Sequence, residues 1–240
     1  MVSILGNCGT PTDKRAYLVE DDAVLHVVGR RVAVRKLEGQ AVSFVHELPA
    51  STKQLTAMIL SANSKYMALC EQATLDGRRQ GSRLRVVPLQ SKRPVASLSP
   101  GGFAVEGAFV GCAFSADATH VVAWTGEPDF VAIVWKWSDE TPLGYVQMRA
   151  LPTRVRFNPS ASTLLSVTSP IRLLRLNDKG QFKEIGVGAL KRHTSNATDH
   201  LWVSATRLVL AGQASDGSTS VFSVFQDGSL LQSLKVPQAE

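Results

Sequence analysis

The sequence predicts an all-β fold assembled from repeated antiparallel meanders, and three observations carry that prediction. Cys112 to Trp137, CAFSADATHVVAWTGEPDFVAIVWKW, holds three apolar runs rich in β-branched and aromatic residues, separated by a polar turn at Ser115 to Thr119 and by a loop. No segment shows apolar residues at helical spacing over helical length. The pattern strand, polar turn, strand also recurs, as ILSANSKYMAL at Ile59 to Leu69, AFSADATHVVA at Ala113 to Ala123, RFNPSASTLLS at Arg156 to Ser166 and WVSATRLVLA at Trp202 to Ala211.

With Leu60, Phe114, Phe157 and Trp202 as equivalent anchors, the spacings are 54, 43 and 45 residues. The last two match the period of four-stranded blades of the WD40 kind. The longer first spacing is assigned to the polar insertion TLDGRRQGS, Thr74 to Ser82, which is expected to form a loop between two strands. The expected architecture is a WD40-type β-propeller over residues 16–240, with about five blades present as part of a larger ring of about seven. Residues 1–15 are expected to form an N-terminal arm.

Taken in order, the first blade has strands at Ala23 to Val28, Val32 to Leu37 and Val42 to Leu48, with a turn at Gly29-Arg30-Arg31, and lacks an innermost strand. The second takes Leu55 to Ser61, Tyr66 to Gln72, Arg83 to Leu89 and Val95 to Leu98. The third takes Val110 to Ser115, Val121 to Thr125, Val131 to Trp137 and Leu143 to Arg149. The fourth takes Thr153 to Asn158, Leu164 to Thr168, Ile171 to Leu176 and Phe182 to Val187. The fifth takes His200 to Ser204, Arg207 to Ala211, Val221 to Phe225 and Leu230 to Val236, its last hairpin marked by Asp227-Gly228. If the ring is open, apolar surface of the fifth blade, among Trp202, Leu208, Val221, Phe222 and Phe225, is expected to lie uncovered.

Composition fits a globular chain: 44% of residues are hydrophobic and 19% charged, enough to build a core and too little charge for a disordered tail. Cys8, Cys70 and Cys112 lack the grouped spacing of zinc ligands and read as reduced thiols of a reducing compartment. The N-terminus has no continuous apolar run of a secretory signal, and no stretch is apolar enough for a spanning helix, so a cytoplasmic location without a membrane segment is expected.

Catalytic chemistry finds no constellation. His26, His46, His120, His193 and His200 are scattered, and His200 alone suggests a buried hydrogen-bonding role without identifiable partners. Asp21-Asp22 and Asp139-Glu140 are neighbours on extended chain and point to opposite sides, so they read as turn formers rather than as an acid and base around one substrate. No glycine-rich stretch opens a helix, so no phosphate loop is present. The expectation is a chain without enzymatic activity, cofactor or metal. Trp124, Trp135, Trp137 and Trp202 read as packing between sheets in preference to a base-stacking platform. The formal charge of +6 concentrates in Arg30, Arg31, Arg35 and Lys36, in Arg78, Arg79, Arg83 and Arg85, and in Lys191-Arg192. Of these, Arg30, Arg31, Arg78, Arg79, Arg83, Lys191 and Arg192 form the candidate interaction surface, a basic rim able to meet an acidic partner.

Three segments also carry a resemblance. TGEPDFVAIVWKW at Thr125 to Trp137, VRFNPSASTLLSVTSPIRLLRL at Val155 to Leu176 and HLWVSATRLVLAGQASDGSTSVFSVFQDGSL at His200 to Leu230 resemble, in order and spacing, the N-terminal WD-repeat region of the cilia- and flagella-associated protein 57 family. The likeness extends back to LHVVGRRVAVRKLEG at Leu25 to Gly39. It implies a non-enzymatic scaffold of the motile cilium or flagellum axoneme, with the inner dynein arm, regulatory complex components and the doublet microtubule as partners, and a further chain completing the ring. Members of that family continue into more blades and coiled coil, whereas this sequence ends at Glu240. The alternative reading is a basic propeller that binds RNA or ribosomal surfaces. Against it, Arg78 and Arg79 have no aromatic residues interleaved with them.

Overall fold

A computed structural model of the chain describes residues 16–19, 22–38, 41–75, 79–91, 93–100, 106–168, 171–185, 196–213 and 220–236. The expected N-terminal arm therefore lies outside the described residues. The chain divides into two compact units, Met1–Gln147 and Met148–Glu240.

Twenty strands are described, in five four-stranded antiparallel sheets, each built from four consecutive strands. In the first unit the first sheet takes β1 (Tyr17–Val19), β2 (Ala23–Val28), β3 (Arg31–Lys36) and β4 (Val42–Glu47). The second takes β5 (Thr52–Leu60), β6 (Tyr66–Leu75), β7 (Arg79–Pro88) and β8 (Ala96–Leu98). The third takes β9 (Phe109–Phe114), β10 (His120–Thr125), β11 (Val131–Lys136) and β12 (Pro142–Gln147), with one 3₁₀ turn at Trp137–Asp139. In the second unit the fourth sheet takes β13 (Val155–Asn158), β14 (Ala161–Val167), β15 (Arg172–Leu176) and β16 (Phe182–Ile185). The fifth takes β17 (Asn196–Trp202), β18 (Arg207–Gln213), β19 (Ser220–Gln226) and β20 (Ser229–Val236). Consecutive meanders of four strands with almost no helix are a β-propeller-like organisation.

Two expectations are corrected. The first sheet is complete, because Tyr17–Val19 pairs with Ala23–Val28. Tyr17 and Val19 are buried, and the Tyr17 hydroxyl donates to the Met58 carbonyl oxygen of the second sheet at 2.9 Å. Three residues beside a run of carboxylates are too few to show a period of two, which is why this strand is silent in the sequence. The insertion at Thr74 to Ser82 is not a loop between shorter strands: β6 and β7 pair continuously from Tyr66 with Pro88 to Leu75 with Arg79. The insertion instead lengthens a hairpin to ten residues a side.

The sheets of the first unit stack face to face. One face of the second sheet packs Met58, Met67 and Leu69 against Leu25 and Val32 of the first. Its other face packs Ala68, Cys70 and Leu84 against Phe109, Val121, Ile133 and Trp135 of the third. Phe109 and Trp135 meet edge to face, their ring centroids 5.9 Å apart, a geometry that adds to the area both rings bury. Trp124 lies across from Gly111 in the β9–β10 register. A Cβ at Gly111 would stand 2.1 Å from the indole, so only glycine leaves room for that ring. Cys70 and Cys112 are buried free thiols, reaching towards the backbone carbonyls of Gly111 and Ala68 respectively, at 3.9 Å each.

One hairpin construction occurs twice. The Ser61 hydroxyl donates to Asn63 Oδ1 at 2.8 Å and accepts the Tyr66 N–H, while Asn63 Oδ1 also accepts the Lys65 N–H. Ser115, Asp117, Thr119 and His120 repeat each of these bonds. The residue after the Asn or Asp is left-handed both times, Ser64 at φ 55° and Ala118 at φ 57°. Partial burial opposes ionisation of Asp117, but hydrogen bonds from Ser115 and Thr119 outweigh it and hold the carboxyl below the usual aspartate range.

In the second unit, Ile171 and Leu173 of the fourth sheet and its approach pack against Leu208, Leu210 and Phe225 of the fifth. Leu208, Val221 and Phe225 are buried, so they supply none of the uncovered apolar surface expected of the fifth blade. Alternation places Phe222 on the opposite face, paired with Leu234 in the β19–β20 register, and there Phe222 is 44% and Leu234 51% exposed.

Candidate interaction surface

The described members of the basic rim are divided between the first and second sheets. Arg30 sits in the β2–β3 turn, where its guanidinium donates to the Ala50 carbonyl oxygen at 3.3 Å. Arg31 opens β3, pairs with Glu47 at 3.3 Å and lies over the Phe44 ring, 5.1 Å from its centroid. Both partners of that pair are about half exposed, so it contributes little to stability, yet it offsets the charge of Arg31. Arg83 is half-buried within β7, opposite Glu71 in the strand register, and so belongs to another sheet. Arg79 is placed by its backbone pairing with Leu75. Arg78, Lys191 and Arg192 lie outside the described residues.

Arg85, a neighbour of that rim in sequence, is turned largely inward. Its Nε donates to Glu71 Oε1 at 2.6 Å, and the other carboxylate oxygen of Glu71 accepts the Thr52 hydroxyl at 2.5 Å. Glu71 is fully buried. A buried carboxylate needs this kind of partner set to remain charged away from water.

The segment TGEPDF between β10 and β11 is braced rather than loose. Asp129 accepts the Gly107 N–H at 2.7 Å, and the Gly107 carbonyl accepts the Ser82 hydroxyl at 2.6 Å. Ser82 Oγ in turn accepts the Phe109 N–H, so this one relay ties β7 to the approach to β9 and to the β10–β11 connection. Phe130 is held at φ 48°, a conformation a bulky side chain adopts at a cost of about 1–3 kcal/mol. Its own N–H is bonded to the Gly126 carbonyl at 2.9 Å.

Where the turns between first and second and between third and fourth strands gather in the first unit, a cleft of about 930 Å³ opens. Val19, Ala23, Val34, Val45 and Leu89 supply its apolar lining. Tyr66 and Trp137 form one wall, their rings tilted at 53° with centroids 5.1 Å apart. The Trp137 Nε1–H is occupied, donating to the Ala118 carbonyl at 2.6 Å. Among the described lining residues, Lys36 and Lys65 are the charged side chains, both exposed, and none is a carboxylate. Among the described residues neither ammonium has an ion-pair partner.

In the second unit the polar side chains bridge sheets. His200 Nε2 lies 2.6 Å from Ser166 Oγ, and that oxygen also accepts the Trp202 indole N–H at 2.8 Å. Asp199, next in the chain, faces Arg154 at 3.6 Å and Arg156 at 3.4 Å. Burial, reinforced by Arg156 and Arg154 and opposed by Asp199, drives the His200 pKa down to about 3, so the ring is neutral at physiological pH. Ser166 is fully buried, which makes this a structural clamp rather than a reachable nucleophile. All four tryptophans thus serve packing or inter-strand contacts. Among the described residues, no three of His, Cys, Asp and Glu converge as metal ligands would, and no helix is long and apolar enough to cross a membrane.

No protein-family model matches the chain, and no curated protein matches it. The cleft is absent from the reading of the sequence. Its two lysines and two rings lie on three separate stretches of chain, Lys65 and Tyr66 being neighbours, and the one local signal is the turn that presents them.

Proposed function

We propose that this chain is a WD40-type propeller segment that works as a non-enzymatic scaffold, presenting its turns and sheet surfaces to protein partners in the axoneme of a motile cilium or flagellum. The observation that carries the scaffold reading is the fate of its reactive side chains. His200, Ser166 and Glu71 are consumed inside and between sheets, while apolar and cationic groups are left at the surface. The repeated Ser61 and Ser115 hairpins support blades of one kind, and the segments Thr125 to Trp137, Val155 to Leu176 and His200 to Leu230 support the axonemal placement by resemblance. Inner dynein arm components, regulatory complex components and the doublet microtubule are the proposed partners. Localising the tagged full chain in a flagellated cell tests this: axonemal signal is expected, and cytosolic cofractionation with ribosomes would replace it with the RNA-binding reading.

A further inference from the structure

We propose that the cleft between the first and second sheets binds a short acidic peptide through one apolar side chain, a step that rests on the scaffold reading and gives it a defined partner chemistry. The lining divides into two parts. Val45, Leu89, Tyr66 and Trp137 supply apolar lining, and Lys36 and Lys65 stand exposed in it, with no carboxylate among the described lining residues. An apolar recess of this size with a few placed charges is what a bound side chain and its flanking polar groups require. The unpaired ammonium groups select for Asp or Glu on the ligand, and the recess selects for Leu, Phe or Trp between them. Lys65 is also held in place: its backbone N–H is fixed by Asn63 and its carbonyl accepts the Leu89 N–H at 2.8 Å, so its approach to the recess is pre-organised.

Nucleic acid fits the same groups poorly. Single-strand readers combine stacking faces with a cationic track along several phosphates. Here the two rings pack on each other, the indole N–H is already bonded, and two cations stand among the described lining residues.

The experiment uses the full chain and a panel of fluorescein-labelled dodecapeptides carrying one Leu, Phe or Trp flanked by Asp and Glu, read by fluorescence anisotropy. Parallel panels replace the apolar residue by Ala, or the acidic residues by Lys. Acidic peptides with an apolar anchor are expected to bind, with amide shifts in NMR spectra at Lys65, Tyr66 and Leu89. The exposed-site double variant K36E/K65E should keep its thermal transition and lose affinity on the order of tenfold. Lys-substituted peptides should bind this variant better than they bind the native chain. Failure of every acidic peptide to bind, or binding indifferent to both lysines, would overturn the proposal. So would a uridine oligonucleotide binding this cleft while every acidic peptide fails. Each of these leaves the axonemal reading to its own localisation test.

Discussion

The imidazole of His200 is joined to the hydroxyl of Ser166 at 2.6 Å, across the space between the fifth and fourth sheets, and both groups are buried. The contact demands a neutral ring, because burial beside Arg154 and Arg156 penalises a third positive charge.

That demand makes the fold acid-sensitive. The unfolded chain takes up a proton on this histidine near pH 6.5, whereas the folded chain resists until about 3. The stabilisation is therefore complete above about pH 6.5 and is lost progressively as pH falls towards 3, reaching about 2 kcal/mol by pH 5. Urea unfolding at about pH 7 and pH 5 should show this loss, and His200→Gln should remove most of the difference between the two.

Arg85→Leu strands the Glu71 carboxylate in the interior of the second sheet and should cost about 3–5 kcal/mol. The double variant E71L/R85L, which removes both charges, should recover most of that. Denaturant titration of the three proteins decides between a pair that is needed for itself and one needed only to neutralise a buried charge.

The two faces of the fifth sheet separate Phe225 from its near neighbour Phe222. Phe225→Ala should cost about 3–5 kcal/mol by opening a cavity against the fourth sheet. Phe222→Ala should cost less than about 1 kcal/mol because its face is exposed. Thermal unfolding of both variants reads the assignment directly.

Ser61→Ala and Ser115→Ala each delete one donor and one acceptor from equivalent turns. The two losses should be similar, about 1–2 kcal/mol each. A large inequality would show that the hairpins are alike in form only.

What the sequence conveys depends on how local each signal is. Strands such as Ala23–Val28 and Val131–Lys136 stand out because β-branched residues run between marked turns. The Ser-Ala-Asn and Ser-Ala-Asp turns likewise announce the hairpins they form. Tyr17–Val19 is too short to show a period, and the Thr74 to Ser82 segment is polar on both sides of an Asp-Gly pair, so extended pairing there resembles a loop in composition. The partners of His200 are remote: Ser166 lies 34 residues earlier and on another sheet. The same holds for the cleft, where Lys36, Lys65 and Trp137 come together only through stacking of sheets.

The strictly sequential strand order bears on how the chain folds as it is made. Each sheet pairs only with strands adjacent in sequence, so no strand waits for a distant partner before its hydrogen bonds close. Ribosomes add about 5–20 residues per second, while a hairpin forms in about 1–10 μs. A sheet can therefore close as soon as its fourth strand emerges, before the first strand of the next sheet has been completed.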